Sequence, residues 1–324
     1  MSKKNTQNTT PAVKVYDFCA KKKMILIIAI AAIVALLAGI IIRGVNFAIE
    51  FKGGTLLTYS YTGDVSIKDV EDVVKGQVND KFTVRSGEDV NTGDKQFIVS
   101  FTSNDGFNVD KQAALTNALK TKFASNDIKD AESTDVAAST GREFFIKCLV
   151  AMLFAAILII LYIAVRFRKI GGWSAGLCSI FALVHDIVIA LAITFLFGFE
   201  FNSNTVAVIL TILGYSINNT IVIYDRIREN RTLMPKASQN ELINLGCTQS
   251  LTRSIRTSIT TVFTMLVITV VALVQGYTSL LTFSVPLMAG LISGTYSSLF
   301  VAPVTWSWWC AKSAKKKADA KKKK

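Results

Sequence analysis

Histidine occurs once in the 324 residues, at His185, and cysteine five times, at 19, 148, 178, 247 and 310, with no C-x-x-C pair. The first scarcity excludes a multi-histidine metal centre, and the odd, scattered cysteines exclude a disulfide scaffold. No catalytic constellation stands out, so neither an enzyme, a cofactor nor a metal is expected. Acidic residues are also in deficit: 36 Lys+Arg face 23 Asp+Glu, a net charge of +13, in a chain that is 51% apolar. A soluble domain seldom combines the two, so charge and hydrophobicity must be segregated along the chain.

They are. Residues 24–42 (MILIIAIAAIVALLAGIII) hold no charge, long enough to cross a bilayer core that takes ~20 residues. Further spans are expected at about 144–165, 173–197, 204–224, 258–275 and 279–304. The reading is six transmembrane helices, with one polar insertion, 43–142, after the first. The later five form a bundle over 143–304, between a basic N-terminus, 1–23, and a Lys-rich tail, 305–324. Lys21, Lys22 and Lys23 resemble a signal-peptide start. The apolar run is too long for one and no A-x-A site follows it, so an uncleaved anchor is expected.

Charge then orients the spans. Residues 1–23 carry six Lys against one Asp, 225–257 six basic against three acidic residues, and 311–324 eight Lys against one Asp. Segment 44–140 has ten basic and fifteen acidic residues. With six crossings the basic segments share one side, which places both termini in the cytoplasm and 43–142 outside, in a multi-pass membrane protein; the resemblance drawn below implies the bacterial cytoplasmic membrane. The Lys-rich ends lack interleaved aromatics, so contact with anionic lipid is expected there rather than a specific nucleic acid.

The insertion reads as a small α+β domain. Residues 54–61 alternate as a strand, Ser66-x-x-Asp69 opens a helix to about 78, 81–86 and 95–102 are strands joined across NTGD, Asn108 caps a helix to about 124, and a weak strand lies near 131–138. The order β-α-β-β-α-β is ferredoxin-like. It suits a docking surface, with no nucleophile–base pair and no phosphate loop.

Polar groups inside the spans carry the functional signal. His185-Asp186 lies mid-span, where an ionisable group costs ~2.5–3.5 kcal/mol on insertion scales. A proton or ion relay and a buried structural pair both explain it. Thr211, Tyr215 and Asn219 follow one another at i, i+4 and i+8, with Ser216, Asn218 and Thr220 beside them; helix–helix hydrogen bonding is the alternative to a functional face. Arg253, Thr257, Thr260 and Thr264 form a stripe in the next span. Arg253 keeps its charge and is suited to hold or release a carboxylate. Gly290-x-x-x-Gly294 suits close helix packing.

Several strings resemble the SecF members of the SecD/SecF protein-export family: Gly214-Tyr215-Ser216-Ile217-Asn218-Asn219-Thr220, then Asp225-Arg226-Ile227-Arg228-Glu229-Asn230. Phe47 through Gly54 resembles that family's GG strand, and Ala182-Leu183-Val184-His185-Asp186, Arg253 through Ser258 and Gly294 through Ser298 resemble further segments in the same order. The resemblance implies an RND-like assembly with SecD beside the SecYEG channel, and a YajC-like subunit nearby, drawing an exported unfolded polypeptide outward on an ion gradient. It implies polar-core roles for Asp186 and Arg253, which join His185, Tyr215, Asn218, Asn219 and Thr257 as the polar-core candidates, and a cytoplasmic mouth at Asp225, Arg226 and Arg228. The chain departs from the pattern at Asn219, where the family usually has Asp, and an amide does not carry a proton in this range. SecD's own carboxylate, substitution by Asp186, and Na⁺ coupling or loss of coupling are the three explanations. A structural scaffold and an RND-type small-molecule or lipid exporter are the competing functions.

Overall fold

The computed structural model describes residues 15–78, 82–88, 94–101 and 108–322. Expectations for residues 1–14, for 91–93 of the NTGD turn, and for the last two residues of the tail lie outside the described residues.

Among the described residues six helices are long and apolar enough to cross a membrane. They are α1 (Lys22–Arg43), α5 (Ala138–Arg166), α6 (Gly172–Leu196), α7 (Ser203–Leu233), α8 (Gln239–Gln275) and a last helix built from α9 (Thr278–Tyr296), a wide turn at Ser297–Val301 and α10 (Ala302–Lys322). Helices α6 and α9 take the centre. Helices α1 and α5 lean on α6, α8 leans on α7, and α9 packs on α6, α7 and α8. Small residues put α6 there: Gly172, Ala175, Gly176, Ser179 and Ala182 are buried. A Cβ on Gly172 would lie 2.5 Å from the Ala164 carbonyl oxygen, so side-chain size sets how closely α5 and α6 approach. The outer helices bury only a stripe. Ile27, Ile30 and Leu37 of α1, Leu153 and Phe154 of α5, and Phe263 and Val271 of α8 are exposed, as befits surfaces that meet lipid rather than water.

The helices outrun the apolar windows. Helix α7 continues past 224 to Leu233, and α8 begins at Gln239, well before 258. Its start is a capping box: the Ser238 hydroxyl accepts from the Glu241 amide at 3.3 Å, and the Glu241 carboxylate accepts from the Ser238 amide at 2.7 Å. The last helix does not stop at 304 either. Trp306 is fully buried, its indole N–H donating to Ser174 Oγ at 3.0 Å, so apolar packing carries the helix into the segment read as a tail. At the other terminus the chain folds back on α8, where Asn244 Oδ1 accepts the amides of Phe18 (3.0 Å) and Cys19 (3.1 Å).

Between α1 and α5 lies the α+β unit. After a short helix α2 (Ile49–Lys52) come β1 (Gly54–Tyr61), α3 (Ile67–Gln77), β2 (Phe82–Glu88), β3 (Lys95–Phe101), α4 (Val109–Lys122) and β4 (Lys129–Val136). The antiparallel sheet has the order β2-β3-β1-β4, the split βαβ arrangement. Leu57 pairs with Val99, which pairs with Val84. Alternation puts Leu57, Tyr59, Phe97, Val99 and Phe101 on one face, against Val70 and Val74 of α3 and Leu115 and Leu119 of α4. Asn108 caps α4 by accepting from the Asp110 amide at 2.8 Å, whereas the Ser66 side chain makes no capping bond to α3.

The sheet is tied to the bundle through its edge strand. Arg85 of β2 pairs with Glu200 in the α6–α7 link, and Ser86 Oγ donates to the Gly276 carbonyl after α8 at 2.7 Å. Burial pulls the Arg85 guanidinium below its ordinary range, and nearby Glu50 opposes that. Glu50 itself accepts the Ser203 amide at the α7 start, at 2.8 Å.

Candidate functional site

The deepest polar feature is a nest around Asp186, which is fully buried on α6. Three hydroxyls from other parts of the bundle converge on it. Ser293 of α9 donates to Oδ1 at 2.5 Å, while Ser216 of α7 and Ser297, just past α9, donate to Oδ2 at 2.7 and 2.6 Å. His185 Nδ1 lies 3.3 Å from Oδ1 and 3.4 Å from Ser293 Oγ. The His185 Nε2 and the Tyr296 hydroxyl are buried with no hydrogen-bond partner among the described residues.

The glycines place the serines. A Cβ on Gly294 would lie 3.2 Å from Ser216 Cβ, and one on Gly290 would collide with the Ile212 side chain. Their absence lets α9 lie against α7 and carries Ser293 and Ser297 to the carboxylate. A hydroxyl both donates and accepts, so the nest can serve a carboxylate or, with the hydroxyls turned, a carboxylic acid.

A second network joins α7, α8 and α9. The Tyr215 hydroxyl donates to Ser258 Oγ at 2.9 Å, Thr295 Oγ1 donates to the same oxygen at 2.5 Å, and Ser258 passes its own proton to the Ser254 carbonyl at 2.7 Å. Asn219 is buried nearby on α7, its Nδ2 lacking a partner among the described residues. The row Thr211, Tyr215, Asn219 does not line one face. Thr211 is exposed, Tyr215 half-buried and Asn219 buried, because steps of four residues drift by about 40° each on a helix of 3.6 residues per turn.

Arg253 answers differently from expectation. It points outward from α8, together with Thr257, Thr260 and Thr264, and among the described residues it forms no ion pair. Within this chain it therefore does not hold Asp186, whose partners are serines. Thr211, Gly214 and Asn218 of α7 are exposed as well. Thr260 and Thr264 quiet their hydroxyls on carbonyls of their own helix, at 2.8 and 3.0 Å. The result is a polar seam on a helical surface that is otherwise apolar.

Asp225 and Arg228 meet at the far end of α7, while Arg226 turns toward α8. Asp225 Oδ1 accepts from Arg166 at 3.0 Å and from Arg228 at 2.6 Å. Arg226 bonds Glu229 at 2.5 Å and Gln249 Oε1 at 2.8 Å, tying α7 to α8. Sequence reasoning overlooked Ser293 and Gln249, and gave Ser258 and Thr295, which lie in the resembling strings, no site role. The i, i+4 pair Ser293–Ser297 was the available signal, since it puts two hydroxyls on one face.

Residues 115–312 match the family described as protein export membrane protein SecD/SecF, C-terminal, and residues 38–65 match the SecD/SecF GG motif. The chain belongs to the SecD/SecF family. The SecD/SecF glycines are Gly53 and Gly54, at φ +84° and +144°, where α2 turns into β1. Among SecD/SecF relatives, the protein translocase subunit SecF of Petrotoga mobilis is 31% identical over 88% of this chain and 93% of its own length. That of Helicobacter pylori is 33% identical over 85% and 82%. The SecDF crystal structure from Thermus thermophilus aligns with a TM-score of 0.74 at 27% identity, over 92% of this chain. The chain spans about two-fifths, 39%, of that SecDF chain, and 40% of the Bacillus subtilis protein translocase subunit SecDF, to which it is 31% identical.

Proposed function

We propose that this chain is a SecF-type subunit of the Sec protein translocase, which joins a SecD half along the polar seam of α7 and α8 and promotes export with the help of an ion gradient. The observation that carries it is the pairing of two features: a carboxylate buried in a serine nest, and an unpaired Arg253 on an outward polar face. A charged side chain facing lipid is costly. A partner that brings polar groups to Arg253, Thr257 and Asn218 removes that cost. Relatives in which the matching segment is part of one SecDF chain support SecD as that partner.

In this reading a proton or Na⁺ entering the joint core changes the pairing of Arg253 and the hydroxyl directions around Asp186. Helices α6 to α8 shift against the SecD half, and the sheet, lying outside the cytoplasm, follows through Arg85–Glu200 and biases an emerging unfolded polypeptide outward from SecYEG. One charge moved through 100 mV supplies ~2.3 kcal/mol, a bias of about fiftyfold. Both termini and the mouth at Asp225, Arg226 and Arg228 lie in the cytoplasm. The test is late translocation in membrane vesicles after ATP-driven initiation. Collapsing the gradient should slow it, and Arg253→Ala should abolish the gradient response. If neither changes the rate, the coupling is wrong.

Asn219 favours a second reading, a scaffold of the translocase without ion coupling through this subunit. Normal gradient-driven export with Arg253 and Asp186 both neutralised would establish it.

A further inference from the structure

At the end of the bundle remote from the sheet, α5 gives way to α6 and α7 runs past both. The cleft between them measures ≈ 560 Å³, and Val165, Arg166, Arg168, Lys169, Arg228 and Leu233 are among its walls. Its cations are held in place. The guanidinium carbons of Arg166 and Arg228 lie 5.6 and 5.9 Å from the ring of buried Phe167, and both groups bond Asp225. A guanidinium has five N–H donors, and the ion pair with Asp225 leaves most of them for another acceptor. Arg168 and Lys169, in the single turn between α5 and α6, are exposed and form no ion pair among the described residues. Glu229, also in the wall, is engaged by Arg226. Four cations thus line the cleft against two carboxylates, Glu229 in its wall and Asp225 beside it, and Arg226 offsets the first of these.

Depth decides what fits. The cleft opens where the apolar part of α5 ends, beside exposed Tyr162 and Val165, and Trp173 at the start of α6 is exposed too. Aromatic and basic side chains together mark the headgroup layer. A ligand with its phosphate at that level and its acyl chains along Tyr162 and Val165 is a phospholipid, and the excess of positive charge selects an anionic one. We propose that this cleft binds the headgroup of an anionic phospholipid, its phosphodiester held by Arg166, Arg168, Lys169 and Arg228. The proposal rests on the helices spanning a bilayer and not on ion coupling, so either can fail without the other.

The test uses the full chain with its co-purifying partners in nanodiscs of mixed phosphatidylglycerol and phosphatidylcholine, and measures the lipid retained on extraction by native mass spectrometry. Phosphatidylglycerol should be retained over phosphatidylcholine. The exposed pair Arg168→Gln/Lys169→Gln should retain about thirtyfold less of it, as expected for two cations worth ~1 kcal/mol each at a membrane surface, with thermal unfolding unchanged. Inorganic phosphate added in solution should not displace it. Equal retention of the two lipids, or no effect of the double variant, overturns the proposal. Full displacement by inorganic phosphate overturns the lipid as source, and cross-linking of Lys169 to an acidic segment of a co-purified protein would make the cleft a protein contact instead.

Discussion

Replacing Asp186 once by Asn and once by Leu separates charge from hydrogen-bond acceptance. Both variants remove the buried carboxylate and its desolvation cost, so that contribution cancels between them. Asn keeps an oxygen on one side and presents an amide on the other, and the hydroxyls of Ser216, Ser293 and Ser297 can turn to donate to the first or accept from the second. Leu offers nothing, and three buried donors lose their acceptor. At ~1–3 kcal/mol for each unsatisfied group, the ceiling is roughly 9 kcal/mol. The serines have an escape, because a hydroxyl can bond a carbonyl of its own helix, as Ser179 does with Ala175 O at 2.9 Å and Thr194 with Ala190 O at 2.9 Å. Ser297 already has the Gly294 carbonyl within 3.3 Å. The loss therefore falls near the floor: Asp186→Leu should be about 3 kcal/mol less stable than Asp186→Asn, a large share of a typical folding free energy. Reversible unfolding in mixed micelles measures the difference, and vesicle export measures the function. Asp186→Asn should fold, assemble with its partners and lose the gradient response. Equal stability of the two variants would refute the nest as an energetic unit, and a wild-type gradient response in Asp186→Asn would refute its part in coupling.

Three further outcomes are expected. Gly54→Ala places a Cβ on the Phe101 carbonyl at a φ of +144°, where the β1–β3 pairing begins; a loss of ~1–3 kcal/mol should appear as faster amide exchange in both strands. Burial of Tyr59, whose hydroxyl is 3.0 Å from Thr116 Oγ1, pushes its phenol up from 10.0 to about 12. The folded state thus favours the protonated form, and that stability is whole below pH 10 and is lost as pH rises from 10 through about 12. At 1.36 kcal/mol per pH unit the loss is ~3 kcal/mol, and Tyr59→Phe should flatten the alkaline limb of an unfolding curve. Asn219→Asp should increase the proton dependence of export, and no change would favour a route through SecD alone.

Much of this architecture was legible because hydrophobic length and period-two alternation are strong local signals. The run at 24–42 and the alternating GTLLTYSY of β1 needed no tertiary context. Helix ends were less legible, since the eye follows hydropathy: α8 begins at Gln239 on a capping box that the sequence does spell, Ser238-x-x-Glu241. Asp186 and Ser216 stood out as polar residues in apolar runs. Ser293 did not, because which serine meets the carboxylate depends on how closely α9 approaches α7, a tertiary quantity set by Gly290 and Gly294. Arg253 stood out as a charge at the edge of an apolar run, but that it is exposed on α8, without an ion pair among the described residues, was not legible. Periodicity says which residues share a stripe, not which side of a bundle the stripe faces.

The widened turn at Ser297–Val301 governs where the end of the last helix looks. Along an unbroken α-helix, nine residues from Ser297 to Trp306 would leave the two side chains about 180° apart. One surplus residue looped out reduces that to about 80°. A tryptophan otherwise aimed at lipid is swung inward onto Ser174 and the Tyr224 ring, 5.2 Å away between centroids. A single misfit in the winding thus lets one helix seat a carboxylate's donor at mid-depth and an aromatic anchor near the rim on neighbouring sides, something no uniformly wound helix of this spacing would achieve.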